Sequence, residues 1–184
     1  VTNYHVVKNS SQIEVLSNSS VYKAKIIGYD EKYDIALLKI NADKIFEFVE
    51  FADSSKIQIG DFIIAVGNPF GLGGTVTTGI ISALNRNINM SPYDNFIQID
   101  AAINKGNSGG PTFNMEGKVI GVNTAIISPT GGNVGLGFSV PSNDVKRIIT
   151  DIQKYGYVKR SWVGISLQEL NAEMLQSLDI KDLL

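Results

Sequence analysis

The sequence predicts an all-β protein, a barrel or a sandwich, from three observations. Apolar, β-branched runs of about four to eight residues recur along the chain. Clusters of Gly, Asn, Ser and Pro separate them, and an unbroken helical period of hydrophobic residues is found only after residue 141.

Val1 to Val7 is short, apolar and β-branched, and reads as a strand leading into His5. Ile13 to Leu16 and Val21 to Ile27 read as strands divided by the turn Ser17-Asn18-Ser19-Ser20. Ile35 to Ile40 is a continuous apolar strand, followed by a polar connection ending near Phe51. Ser54 to Ile59 leads to a Gly60-Asp61 turn and the buried strand Phe62 to Val66. Pro69 to Gly74 is a glycine-rich loop, and Thr75 to Leu84 a strand in which Gly79 marks a bulge or a close approach. Asn85 to Asn95 is a polar loop, and Phe96 to Asp100 alternates as a strand does. Strands Lys118 to Ala125 and Val134 to Val140 flank the loop Ser128 to Asn133. A helix follows: Ser142 can cap it, Asp144 lies in its first turn, and Gly156 ends it. Val145, Ile148, Ile149 and Ile152 fall on one face, which reads as packing against the barrel.

With 184 residues, the chain is long enough for one domain with a sizeable core plus a fragment. A net charge of −2 and no basic stripe argue against nucleic acid or an anionic membrane as partner. Without cysteine there is neither a disulfide framework nor a thiolate metal site. No apolar run approaches the roughly 20 residues of a membrane-spanning helix.

Chemistry is concentrated at Asn104-Lys105-Gly106-Asn107-Ser108-Gly109-Gly110-Pro111. Glycines let the backbone around Ser108 bring its amides close to a ligand, which suits a nucleophilic hydroxyl whose attack on a carbonyl builds negative charge on oxygen. The Gly106 and Ser108 amides are placed to hold that charge. Taken alone, the octamer reads equally well as a polar surface turn with a proline stop. His5 is the only histidine, and Asp34 immediately precedes an apolar strand, where a carboxylate can orient an imidazole. Asp30 and Glu31 compete for that role, but they sit in the polar turn 28–32 and do not lead directly into the strand.

These blocks, in this order, resemble the HtrA (DegP/DegQ) family of chymotrypsin-like serine proteases. The resemblance rests on Thr2 to Val7, Asp34 to Lys39 and Asp100 to Pro111. Ala65 to Gly71, Val76 to Ser82 and Gly135 to Pro141 extend it over essentially the whole chain. It implies a double six-stranded β-barrel with a C-terminal helix, the first barrel incomplete because family members carry strands and a Gly-Ser-Gly segment before the histidine block. It also implies peptide-bond hydrolysis by a His5, Asp34 and Ser108 triad. Gly106, Asn107 and Ser108 would form the oxyanion loop, the amides of Gly106 and Ser108 being the donors. Ile103, Asn104, Thr124, Ala125 and Ile126 would line the substrate cleft, the last three pairing with substrate as an added strand. No metal or cofactor is required. Lys105 stands where many relatives have Pro.

On this resemblance residues 1–158 are the protease domain and 159–184 a linker and the start of a PDZ domain. Trp162-Val163-Gly164 would belong to a loop receiving a peptide C-terminus, or else to an ordinary strand, and Asn171 could cap a short helix stapled by Leu170 and Leu175. The implied partners are unfolded proteins or peptides and further copies of the chain in a homotrimer or a higher oligomer of trimers, with no nucleic acid and no membrane span. The implied setting is the bacterial periplasm, with a mitochondrial relative as the other possibility. A holdase that binds unfolded chains without cutting them is the second functional reading. Asn107 stands where zymogens of this fold carry the aspartate that captures a new N-terminus. Control is therefore expected to come from a loop equilibrium over residues 101–107 and the flanking Asn85 to Asn95 and Ser128 to Asn133 loops, in which substrate or a neighbouring subunit selects the competent state.

Overall fold

A computed structural model describes residues 1–17, 19–69, 73–161 and 164–165. The described elements are β1 (Thr2–Asn3), α1 (Tyr4–Val7), β2 (Ile13–Ser17), β3 (Ser20–Asp30), β4 (Ile35–Ile40) and β5 (Phe62–Gly67). After them come β6 (Thr75–Arg86), β7 (Phe96–Ile99), β8 (Pro111–Phe113), β9 (Val119–Ile126), β10 (Gly137–Pro141) and α2 (Ser142–Tyr155). The Asn171 helix and Trp162-Val163 lie outside the described residues.

The first four strands form an antiparallel sheet in the order β1-β4-β3-β2. The other six close into a barrel in the order β10-β7-β6-β5-β8-β9. Every pairing in that barrel is antiparallel. Closure removes the open edges that a sheet of this length would otherwise expose.

Two buried clusters organise the packing. Ile63, Ile81, Ile97, Ile99, Ile103 and Ile120 help fill the barrel. The second cluster joins Val122, Phe138 and Val140 of the barrel to Val145, Ile148 and Ile152 of α2 and to Ile35 of β4. Full burial of such a side chain stabilises by about 1.5–3 kcal/mol relative to exposure. This cluster therefore binds the open sheet to the barrel. The helix lies so close to β3 that a Cβ on Gly28 would come within 2.6 Å of Ile152 Cγ2 and 2.7 Å of the Gly156 carbonyl oxygen. Gly156 ends α2 as expected, with φ 81° and its N–H donating to the Ile152 carbonyl at 2.8 Å.

Three local expectations are corrected. The strand predicted over Val1 to Val7 is two residues long, after which Tyr4–Val7 turns into one helical turn. Tertiary hydrogen bonds override the β-branched composition there: the Asp34 carbonyl takes the Tyr4 N–H and the Asp34 carboxylate takes the His5 N–H. Ser142 does not cap α2, because its hydroxyl donates instead to the Ala52 carbonyl at 2.9 Å, tying the helix start to the chain ahead of β5. The last barrel strand begins at Gly137 rather than Val134, and the three-residue β8 is an addition to the expected set. Gly79 does mark a close approach, since a Cβ there would meet the Asp100 carboxylate and the Ala101 amide.

Candidate active site

His5 projects from α1 and Asp34 from the turn entering β4. Asp34 receives two bonds from His5: Oδ1 accepts the backbone N–H at 2.8 Å, and Oδ2 lies 2.5 Å from ring Nδ1. The ring is thereby fixed in direction, and among the described residues its other nitrogen has no hydrogen-bond partner. The histidine side chain is half exposed while that of Asp34 is mostly buried. The hydrogen bond to Asp34 raises the His5 pKa above its usual 6.5 against the opposing effect of burial, and the carboxylate charge adds to the rise.

Asp34 occupies the left-handed region at φ 54°, a conformation costing about 1–2 kcal/mol in most L-residues though less for Asp. Its carbonyl offsets this by accepting two bonds, from the Tyr4 N–H at 3.0 Å and from Asn3 Nδ2 at 2.9 Å. The competing acids are otherwise engaged. Asp30 is buried at the end of β3, where it accepts the Tyr33 N–H and sits 2.6 Å from an Arg160 terminal nitrogen that is out of line for a hydrogen bond. Glu31 pairs with Lys8 on the surface.

Ser108 lies in the loop between β7 and β8. Gly106 at φ 101° and Gly109 at φ 82° supply its left-handed turns, and both pack too tightly for a side chain. A Cβ on Gly106 would meet the Asn68 carbonyl at 2.5 Å, and one on Gly109 would meet Thr2 Oγ1 at 2.2 Å and the Asn3 nitrogen at 3.0 Å. The Asn107 amide turns inward to the Asn104 carbonyl at 3.0 Å, so it is not a donor to the cleft. Among the described residues no hydrogen bond engages the amides of Gly106 or Ser108. The Ser108 hydroxyl donates to the Thr124 carbonyl at 3.5 Å, and no described hydrogen bond joins it to His5. Contacts through Thr124 and Gly109 nevertheless place it beside β1, two residues ahead of His5.

A buried polar layer supports this loop. Asn123 accepts the Gly109 N–H on its carbonyl at 2.8 Å and donates its own N–H to the Gly110 carbonyl at 2.9 Å. Its side-chain oxygen accepts from Thr112 at 2.6 Å and from Ser139 at 3.1 Å. Beyond Asn123, one edge of Thr124, Ala125 and Ile126 has no strand beside it among the described residues, because β8 covers β9 only as far as Val122. Ile103 is buried in the barrel cluster with Ile126 packed against it. Asn104 accepts the Asn133 N–H at 2.9 Å, and the Asn133 side chain donates to the carbonyls of Ala101 and Ile103 at 3.4 and 3.3 Å. The loop ending at Asn133 is thus laced to residues 101–104. In the other loop, the Asp94 carboxylate takes the N–H groups of Ile88, Met90 and Ser91.

Nothing in the sequence distinguishes Asn3, Asn123 and Asn133, since a buried asparagine and a turn asparagine are written alike. Among the described residues, the buried side-chain oxygens of Asn3 and Asn107 accept no hydrogen bond from protein. Among the described residues no cluster of acids and histidine is arranged to hold a metal ion, and no helix is long and apolar enough to cross a membrane.

The family model for the trypsin-like peptidase domain matches residues 1–122. A probable periplasmic serine endoprotease, DegP-like, from Bartonella henselae is 49% identical over 183 residues, covering 99% of this chain and 36% of the relative. The protein of the same description from Rickettsia prowazekii is 53% identical over 186 residues, covering 98% of this chain and 36% of the relative. The chain thus spans about a third of the length of the curated relatives it matches. Among solved structures, the HtrA-type protease AlgW with decapeptide superposes with a TM-score of 0.92 at 41% identity, covering 99% of this chain and 56% of that one. The closed barrel, the open sheet and the C-terminal helix are a chymotrypsin-like arrangement, and this chain belongs to the trypsin-like peptidase domain family, on its HtrA-type, DegP-like branch.

Proposed function

We propose that this chain is the protease domain of a periplasmic serine endopeptidase that hydrolyses unfolded or misfolded proteins. The observation that carries the proposal is the pairing of a carboxylate-oriented imidazole, His5 on Asp34, with a hydroxyl on a glycine-built loop whose Gly106 and Ser108 amides are uncommitted. Ser108 attacks the scissile carbonyl. The free ring nitrogen of His5 takes its proton and later delivers it to the leaving amine, while Asp34 holds the tautomer and stabilises the imidazolium. The amides of Gly106 and Ser108 receive the oxyanion. Water then enters the cycle through the same base and releases the acyl group.

The open edge of Thr124, Ala125 and Ile126 favours substrate bound as an added strand. Ile103 and Ile126 make the neighbouring surface apolar, and Asn104 braces it. Cleavage is expected after small or branched aliphatic residues, because an Arg or Lys would be desolvated there without a partner. Residues 1–158 form the catalytic unit, 159–184 lead into a PDZ domain, and the protein assembles as homotrimers. The names of the relatives and the HtrA-type neighbours support the periplasmic setting and the protein substrates.

A fluorophosphonate probe tests the assignment directly. It should modify Ser108 in the full-length protein, as read by peptide mass spectrometry, and Ser108→Ala should abolish labelling. Labelling elsewhere, or an active alanine variant, would refute it.

A further inference from the structure

We infer that Asn3 is a positioning residue of the catalytic centre, an amide clamp that holds the Asp34 turn on the open sheet in register with the Ser108 loop on the barrel. The inference rests on the triad reading proposed above. Asn3 is wholly buried, and its Nδ2 donates both to the Asp34 carbonyl at 2.9 Å and to Thr124 Oγ1 at 3.0 Å. These partners lie 31 and 121 residues away, one in each half of the molecule. Thr124 is the residue whose carbonyl receives the Ser108 hydroxyl, and its own hydroxyl donates to the Val122 carbonyl at 3.1 Å. The Asn3 backbone also closes on Gly109, the residue after the nucleophile, too tightly to admit a Cβ there.

The orientation of the amide is fixed by chemistry. The Asp34 carbonyl can only accept, so the side-chain nitrogen must face it, and both of that nitrogen's hydrogens are committed to bonds that span the halves. His5 follows two residues on, so a displaced Asn3 moves the base and the acid together relative to the nucleophile. A misplacement of about 1 Å at such a site can cost as much as 100-fold in rate.

The experiment uses the full-length protease with Asn3→Ala, Thr124→Val and the double variant. Asn3→Ala should lower kcat by about 10- to 100-fold with KM near wild type. It should also move the acid limb of the kcat/KM profile to lower pH, because a loosened Asp34 no longer holds the His5 pKa up. The neighbouring ionisable groups Tyr4, Lys8 and Glu31 are unchanged in these variants, and the Tyr4 phenol, pushed up to about 12 chiefly by desolvation, is silent in this range. Thr124→Val keeps the volume and removes the bond from Asn3 together with the Thr124 hydroxyl's local bond to the Val122 carbonyl. It should shift the limb in the same direction by less, and the double variant should be no worse than Asn3→Ala. If Asn3→Ala does not fold, Thr124→Val decides: an unmoved acid limb and unchanged kcat overturn the inference. A variant that melts earlier yet keeps the wild-type profile and rate shows a merely structural residue and also overturns it. Wild-type protein that fails to label at Ser108 overturns the triad reading and this inference with it, whereas normal wild-type labelling with wild-type behaviour in both variants overturns this inference alone.

Discussion

The two halves of this molecule solve unlike problems with the same strand chemistry. The barrel is self-sufficient: its strands close on themselves and its clusters contain most of the buried aliphatic side chains, Ile63, Ile81, Ile97, Ile99 and Ile120 among them. The four-stranded sheet contributes few buried apolar residues, Ala24, Ile35 and Ala36 within its strands, and leaves Leu16 and Val21 exposed. Ser108, the proposed nucleophile, is seated on the first, and His5 and Asp34, the proposed base and acid, on the second. The site is therefore only as well aligned as the contacts between them, namely Ile35 in the helix cluster, Gly28 under α2 and Asn3 across the strands.

The strongest break is chemical. Ser108→Ala should reduce turnover of casein by about 10⁴-fold or more while its unfolding curve matches wild type, since the residue belongs to the site and not to either core. Next comes packing. Ile120→Ala, inside the barrel, and Ile152→Ala, at the junction, should each cost about 2–5 kcal/mol in urea denaturation, whereas Leu16→Ala on the open sheet should stay within about 0.5 kcal/mol. Of the two costly changes only Ile152→Ala should also lower activity below its own melting transition, because it alone loosens the seat of Ile35 beside Asp34.

A proton provides the third comparison. His5 must be neutral to act as base, and its pKa is raised above 6.5, so kcat/KM should fall about tenfold per pH unit below that raised pKa and level off above it. A profile flat from pH 5 to 8, with chemistry limiting, would remove His5 from the mechanism. A smaller cost than either core change is expected of Gly156→Ala. Nothing lies within 4 Å of the added Cβ, so the cost is the left-handed conformation alone, about 1–2 kcal/mol by thermal unfolding.

What the sequence discloses follows from how local each feature is. The strands containing Ile35–Ile40 and Phe62–Gly67 are plain in the apolar runs, and α2 in its period, because burial of one face imposes a pattern on adjacent residues. The turn carrying His5 is hidden, since what makes it helical is Asp34, some thirty residues later. The strand Pro111–Phe113 is too short to show a pattern. His5, Asp34 and Ser108 stand out through their flanking residues. Asn3, Asn123 and Asn133 do not, because their value lies in acceptors that only the fold brings near.

The helix over Ser142–Tyr155 bears on the order in which the site is assembled. Its apolar face is the surface on which Ile35 rests, so the turn presenting Asp34 lacks its floor until a segment more than a hundred residues downstream has been synthesised and docked. Contacts of such long sequence separation form late, after loop closure has been met entropically. A chain made N-terminus first presents His5 and Asp34 before Ser108, and the floor under Asp34 is set only when the helix docks. On the function proposed above, the topology delays assembly of the site until folding is nearly finished.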